Sequence, residues 1–226
     1  MLKKIFTYLI LPLAIAGLVY LNVQSIMEPV NFNKEQKARE AVGIERLKDI
    51  RTLQVAFKSE NGRFTSSVDT LKDFYRNGKI KVVMQIGSKD DSLAVANTQK
   101  LKRRNPRIKP EQLFELYKQG QNLVFSIENE IDVKDTLFND RPGFCIDSLA
   151  FIPFSGDSLI MDSAVKTVSG VKVPLFEASM PYKSLLKGMD NQLRINLDAE
   201  REDTGRYAGL KVGSISAPNN NAGNWE

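Results

Sequence analysis

The chain of 226 residues contains no histidine, one cysteine and one tryptophan. Lack of histidine removes the side chain that most often acts as a general base near neutral pH and most often ligates transition metals. Ser-His-Asp and Cys-His catalysis are excluded outright. Carboxylate, lysine and tyrosine chemistry stay open. With Cys145 alone, neither an intramolecular disulfide nor a cysteine cage for a metal can form. A solitary cysteine is ordinarily a small buried apolar residue, and it leaves the redox compartment undetermined. Phosphate-binding glycine loops and dinucleotide fingerprints are also missing. The sequence calls for no cofactor and no metal.

What is present belongs to a globular protein. The chain is 42% hydrophobic and 26% charged, too apolar and too mixed in charge for general disorder. It is long enough to bury a self-sufficient core.

Residues 5–23, Ile5 to Val23, carry no charge. As a helix they span about 28 Å, close to the hydrocarbon thickness of ~30 Å. Pro12 lies mid-span, where lipid-embedded helices tolerate it, and Tyr8 and Tyr20 lie toward the ends, as interfacial aromatics do. The competing reading is a signal peptide cleaved near Ala14-Ile15-Ala16. The apolar run continues beyond that site, which favours an uncleaved anchor, and no cysteine stands near the N-terminus for lipidation. Lys3 and Lys4 favour an N-terminus inside, with the domain in the periplasm and the anchor in the inner membrane. The expected organisation is a cytoplasmic stub at 1–4, the anchor at 5–23, a break at 24–33, an extracytoplasmic domain at 34–218 and a disordered tail at 219–226.

Pro29 supplies the expected break, because it cannot donate to a helix ladder. Asn33 then offers an N-cap with Gln36 at capping-box spacing. From Ala38 to Phe57 apolar residues recur mostly every three positions, predicting an amphipathic helix of about 25 residues that Asn61-Gly62 ends. A short helix is expected over 68–76, capped by Ser66 or Ser67, and another over 110–118. Period-two patterning predicts strands at 79–86, 122–127, 148–154, 158–161, 164–169, 171–178, 193–197 and 207–213. Helices first and strands later argue for an α+β fold, its long amphipathic helix packed on a C-terminal antiparallel sheet.

Three local patterns invite function. Gly156-Asp157-Ser158-Leu159 spells the GDSL string of a hydrolase family. That chemistry needs a histidine, and Asp-Ser-Leu recurs at 91–93 and 147–149, so the tripeptide reads as strand-entry punctuation. Lys100, Lys102, Arg103, Arg104, Arg107 and Lys109 put six cations in ten residues. They read as a solvated loop, or as a contact for anionic lipid or an acidic partner. Without interleaved aromatics they do not read as a nucleic-acid surface. An acidic stretch from Glu128 to Asp162 can pair with them, between copies or within one fold. Asp198, Glu200, Glu202 and Asp203 make a carboxylate-rich turn whose spacing is not that of a calcium loop.

The segment from Leu53 through Leu71 contains Glu60-Asn61-Gly62-Arg63-Phe64, followed by a short helix. In this it resembles the type IV pilin and type II secretion pseudopilin family, and the apolar N-terminal helix, amphipathic extension and following sheet suit that family too. The resemblance covers residues of about 5–75. The family's processing motif and early glutamate have no counterpart before Glu28, and Thr65 follows Phe64 where proline is usual. The resemblance implies a structural subunit, not an enzyme, in an envelope secretion or pilus-type machine. Its partners would be the bilayer, other envelope proteins or copies of itself, with no nucleic acid. The alternatives are a membrane-tethered periplasmic binding module and, less favoured, a histidine-free carboxylate enzyme.

Overall fold

The computed structural model describes residues 10–226. The stub and the first five residues of the expected anchor lie outside the described residues. Helix α1, Leu11–Asn61, runs for 51 residues, about 75 Å along its axis. It contains Pro29, so the expected break at 24–33 is absent. Proline costs the ladder only the bond to Ser25 carbonyl, and Ser25 is exposed, where solvent can take the donor's place. Asn33 is therefore no N-cap. The Gln36 amide instead donates to Glu40 Oε1 at 2.9 Å, one turn along the same helix.

Two halves of α1 meet different surroundings. Leu13, Ile15, Leu18, Leu21 and Ile26 are exposed, and this one helix is long and apolar enough to cross a membrane. Burial begins at Phe32 and continues through Leu47, Ile50, Leu53 and Phe57, the apolar stripe that the spacing of three predicts. That stripe lies on the sheet β3 (Ile160–Val168), β4 (Val171–Pro181) and β5 (Gly209–Gly213), which is antiparallel in the order β3-β4-β5. Phe176, Ala178, Met180, Leu210 and Val212 are its buried side of the core. The fold is α+β, with the long helix packed on an antiparallel sheet. Gly43 permits the close approach, since a Cβ there would stand 2.8 Å from Leu210 Cδ1.

Around this body the chain adds α2 (Val68–Asn77), capped by Ser67, whose Oγ accepts the Thr70 N–H at 3.3 Å. Strand β1 (Lys79–Ile86) pairs antiparallel with β2 (Phe125–Asp132) in a separate two-stranded ribbon. Between those strands lie α3 (Ser92–Arg104) and α4 (Pro110–Lys118). They enclose a second core of Leu113, Leu123, Phe125 and Ile127, flanked by Ile86, Leu101, Ile108, Phe114 and Leu116. The short α5 (Val133–Thr136) and α6 (Tyr182–Leu185) and the helix α7 (Asn191–Asp203) complete the fold.

Several expected strands are corrected. Residues 148–154 give no strand: a 3-10 helix spans Ile146–Ala150, because Ile146, Leu149 and Ile152 enter the core at a step of three, not two. Residues 193–197 lie in α7. Asp190 caps it by accepting the Leu193 N–H at 2.7 Å, and Leu193 and Leu197 pack on the body one turn apart. The segments 158–161 and 164–169 merge into the single strand β3, and 122–127 shifts to Phe125–Asp132.

The tail at 219–226 is not disordered. Gly213 N–H donates to Ala222 carbonyl at 3.0 Å, Asn224 N–H to Lys211 carbonyl at 2.9 Å, and Arg51 Nη1 meets Glu226 Oε1 at 2.6 Å. Thus the tail closes the outer edge of β5, and Trp225 packs against the core.

Candidate functional site

The six cations do not form a loop. Lys100, Lys102, Arg103 and Arg104 lie in the last two turns of α3, and Arg107 and Lys109 in the turn that leads to α4. The helix escaped a sequence reading tuned to apolar periodicity because its core-facing residues are small. Ala94 and Thr98 are its buried positions. Its start was visible in principle: Asp91 Oδ1 accepts the N–H groups of Leu93 at 2.9 Å and Ala94 at 3.1 Å, a standard cap. Cations in the last turn also suit the negative end of the helix dipole.

None of the six makes an ion pair among the described residues. Elsewhere part of the exposed charge is matched, Arg39 with Glu35, Arg76 with Asp147, Arg141 with Glu45 and Asp49, Arg194 with Asp198, while single cations such as Lys37, Lys172 and Lys183 are exposed. From Gly87 to Val124 there are eight cations and four acids, net +4 in a chain of +5. The internal pairing of this run with the stretch from Glu128 to Asp162 therefore does not form. Those acids turn to nearer partners, Glu130 to Lys79, Asp147 to Arg76 and Asp157 to Lys187, while Glu128, Asp135 and Asp140 stay exposed.

On this lobe one recess of about 340 Å³ is lined by Asn97, Lys100, Leu101, Arg104, Gln121 and Asn122. Lys100 and Arg104 stand one helical turn apart, hence on one face of α3. The opposite wall is the turn after α4, held by Gly120 at φ +89 and by Gln121 N–H donating to Leu116 carbonyl at 3.2 Å. Asn97 Nδ2 donates to Asn122 carbonyl at 3.3 Å, and Asn122 Nδ2 to Asp91 Oδ2 at 2.6 Å. Those bonds fix the walls. The amide of Asn122 holds the Asp91 carboxyl below its ordinary range, with the Ala94 N–H adding to the effect.

A second recess, of about 180 Å³, lies on the body between α1 and the Gly143–Leu149 segment. Arg141 bridges there to Glu45 Oε1 at 2.7 Å and to Asp49. Burial pushes the Asp49 carboxyl up, against the opposing hydrogen bond from Arg141, and burial also lowers the nearby Arg46. Arg46 Nη1 donates to Phe151 carbonyl at 2.6 Å. Its polar groups serve one another, so the cluster clamps α1 to the following chain. Cys145, on its rim, is exposed, contrary to the expectation for a lone cysteine.

The segment Glu60-Asn61-Gly62-Arg63-Phe64 has a structural account at four of its five positions. Glu60 Oε1 accepts the Lys81 N–H at 2.9 Å and ties the helix end to β1. Asn61 Nδ2 donates to Phe57 carbonyl at 3.0 Å. Gly62 takes φ +70 and its N–H donates to Lys58 carbonyl at 2.8 Å, the left-handed cap that favours glycine. Phe64 is buried against Phe176 at 4.8 Å between centroids, while Arg63 is exposed. Buried Gln54 completes the turn by exchanging two hydrogen bonds with the Thr65 backbone, at 2.6 and 3.2 Å.

The Asp-Ser-Leu repeats have three different settings. Asp91 caps α3, Asp147 lies within the 3-10 helix, and Asp157 precedes β3, so the tripeptide does not mark strand starts in general. Leu159 is buried in the core, and Asp157 pairs with Lys187 at 3.5 Å. The four acids near 200 sit in or at the end of α7, where Asp198 is taken by Arg194. Among the described residues no three His, Cys, Asp or Glu side chains converge as metal ligands would. The chain matches no family model, no curated protein and no solved structure.

Proposed function

We propose that this protein is a single-pass, membrane-anchored assembly subunit of the cell envelope, pilin- or pseudopilin-like in plan. Its N-terminus faces the cytoplasm and its domain the periplasm. One observation carries the reading: α1 passes without interruption from an exposed apolar half into the centre of the domain core. A flexible linker would let a tethered enzyme or binding domain sample the space around its anchor. A continuous helix instead fixes the domain's height and azimuth, which is useful where neighbours must register. The basic residues Lys3 and Lys4 support the orientation.

Cys145 gives a direct test, since it is the only cysteine and is exposed. A membrane-impermeant maleimide applied to intact spheroplasts should label it, and labelling only after lysis would reverse the topology. Photo-cross-linking from the exposed positions Val42 and Val55 on α1 should trap copies of the chain or another envelope protein. Recovery of monomer alone would count decisively against an assembly subunit.

A further inference from the structure

Two unpaired cations of α3, Lys100 and Arg104, line a recess of the lobe, and the recess has the donors of an oxyanion site. Lys100 Nζ, the Arg104 guanidinium and the Gln121 amide have no hydrogen-bond partner among the described residues, whereas the amides of Asn97 and Asn122 are occupied in holding the walls. A point charge, a planar fork and a neutral amide aimed into one space match carboxylates held by a peptide backbone. Lys102 and Arg103 in the same helix, and Arg107 and Lys109 in the turn after it, add the long-range field that raises association rates. We propose that the recess between α3 and the Gly120–Asn122 turn binds an acidic polypeptide segment, with Lys100 and Arg104 gripping two of its carboxylates. This identifies the partner class within the assembly reading above and rests on it for its biological setting.

Two features argue against other polyanions. A single-stranded nucleic acid stacks its bases on aromatic faces, and the lining of the recess holds none. The ribbon bearing the lobe is fastened to the far end of α1 through Glu60, about 45 Å along the helix from Pro29. The lipid surface of the anchor is many screening lengths of ~8 Å from that fastening.

The test uses the full chain in nanodiscs of neutral phosphatidylcholine, with a fluorescein-labelled peptide of alternating glutamate and glycine read by anisotropy. Binding should weaken with salt, and Lys100→Gln with Arg104→Gln should lower affinity by about tenfold. Lys89→Gln with Lys118→Gln removes the same charge from the same lobe outside the recess, and should lower affinity by less than about threefold. Equal loss in both double variants would overturn the proposal, leaving only diffuse attraction. So would displacement of the peptide by inorganic phosphate, anionic vesicles or single-stranded DNA at lower concentration than by unlabelled peptide. Absent peptide binding with intact cross-links in cells would remove this inference alone. Peptide binding without any cellular cross-link would remove the assembly reading and leave the recess.

Discussion

The body and the α3–α4 lobe solve the same problem of burying apolar surface with different means. In the body, long and aromatic side chains from α1, β4 and β5 interlock around Phe176, Leu53 and Tyr182, each at most 1% exposed. Part of its charge is spent on cross-links between distant segments, such as Arg141 to Asp49 and Tyr182 Oη donating to Glu40 Oε1 at 2.6 Å. The lobe buries Ala94 and a cluster of four larger apolar residues on a two-stranded ribbon, which by itself would be marginal. Of its eight cations only Lys118 is paired within the lobe, with Glu115 at 3.1 Å. A region that carries its surface charge unpaired has that charge available for a partner, while a region that pairs it has committed it to its own fold.

The largest test of this contrast is core truncation. Phe176→Ala should cost about 3–5 kcal/mol and lower the melting of the whole domain. Leu123→Ala, equally buried, should cost about 2–5 kcal/mol locally. Hydrogen exchange should then show lost protection in α3 and α4 with α1 and β4 unchanged. Loss across both regions would mean one cooperative unit and would break the comparison.

Next in size is the buried hydroxyl of Tyr182, whose ionisation burial and Glu40 both oppose. Tyr182→Phe removes one of two donors from the half-buried Glu40, leaving the Gln36 amide, and should cost about 1.5 kcal/mol in urea denaturation of the body. Smaller still are two glycines with open space around them and positive φ, Gly62 at +70 and Gly120 at +89. Alanine at either should cost about 1 kcal/mol from backbone strain alone. Gly62→Ala should be felt in global unfolding, and Gly120→Ala only as faster exchange in the lobe.

The smallest effect is the sharpest, because acid acts with opposite sign at Asp91 and Asp49. Asp91 has its carboxyl lowered in the lobe, so its stabilisation is present above the unfolded value and is lost as pH falls through the lowered folded value. Asp49 has its carboxyl raised in the body, so its ionisation opposes folding, and that opposition fades as pH falls from the raised value toward the unfolded one. Exchange measured through the carboxylate range should show α3 loosening in acid. Asp91→Asn, which keeps a capping oxygen, should remove that pH dependence and leave the contribution of Asp49 intact.

Much of the architecture was legible one segment at a time. The stripe through Leu47, Ile50 and Leu53, the cap at Gly62, strand β1 at 79–86 and helix α4 at 110–118 follow from period and capping alone. The failures share a cause. Residues 149–152 are all apolar, too close together to separate period two from period three. The segment 193–197 alternates as Leu193, Ile195 and Leu197, although a helix packs only Leu193 and Leu197 and leaves Ile195 exposed, so in both only the facing core chooses. Helix α3 hid because its buried side is Ala94 and Thr98. Of the candidate site, the cations were visible as a run, but Asn97, Gln121 and Asn122 were not, since nothing local marks an amide as the wall of a recess.

By itself the sequence determined the class of the molecule: an apolar stretch that suits a bilayer, a long amphipathic helix after it, and an absence of histidine that removes whole families of chemistry. Tertiary structure decided what became of Pro29, of the tail and of the charges. A proline ends a short helix but interrupts a long one by only one bond, and here both neighbours continue the helix. The tail reads as disordered until the open edge of β5 and the side chain of Arg51 give it partners. And whether six cations are a solvated run or a surface with a recess depends on the distance to the nearest acid, a quantity fixed only when the chain has folded.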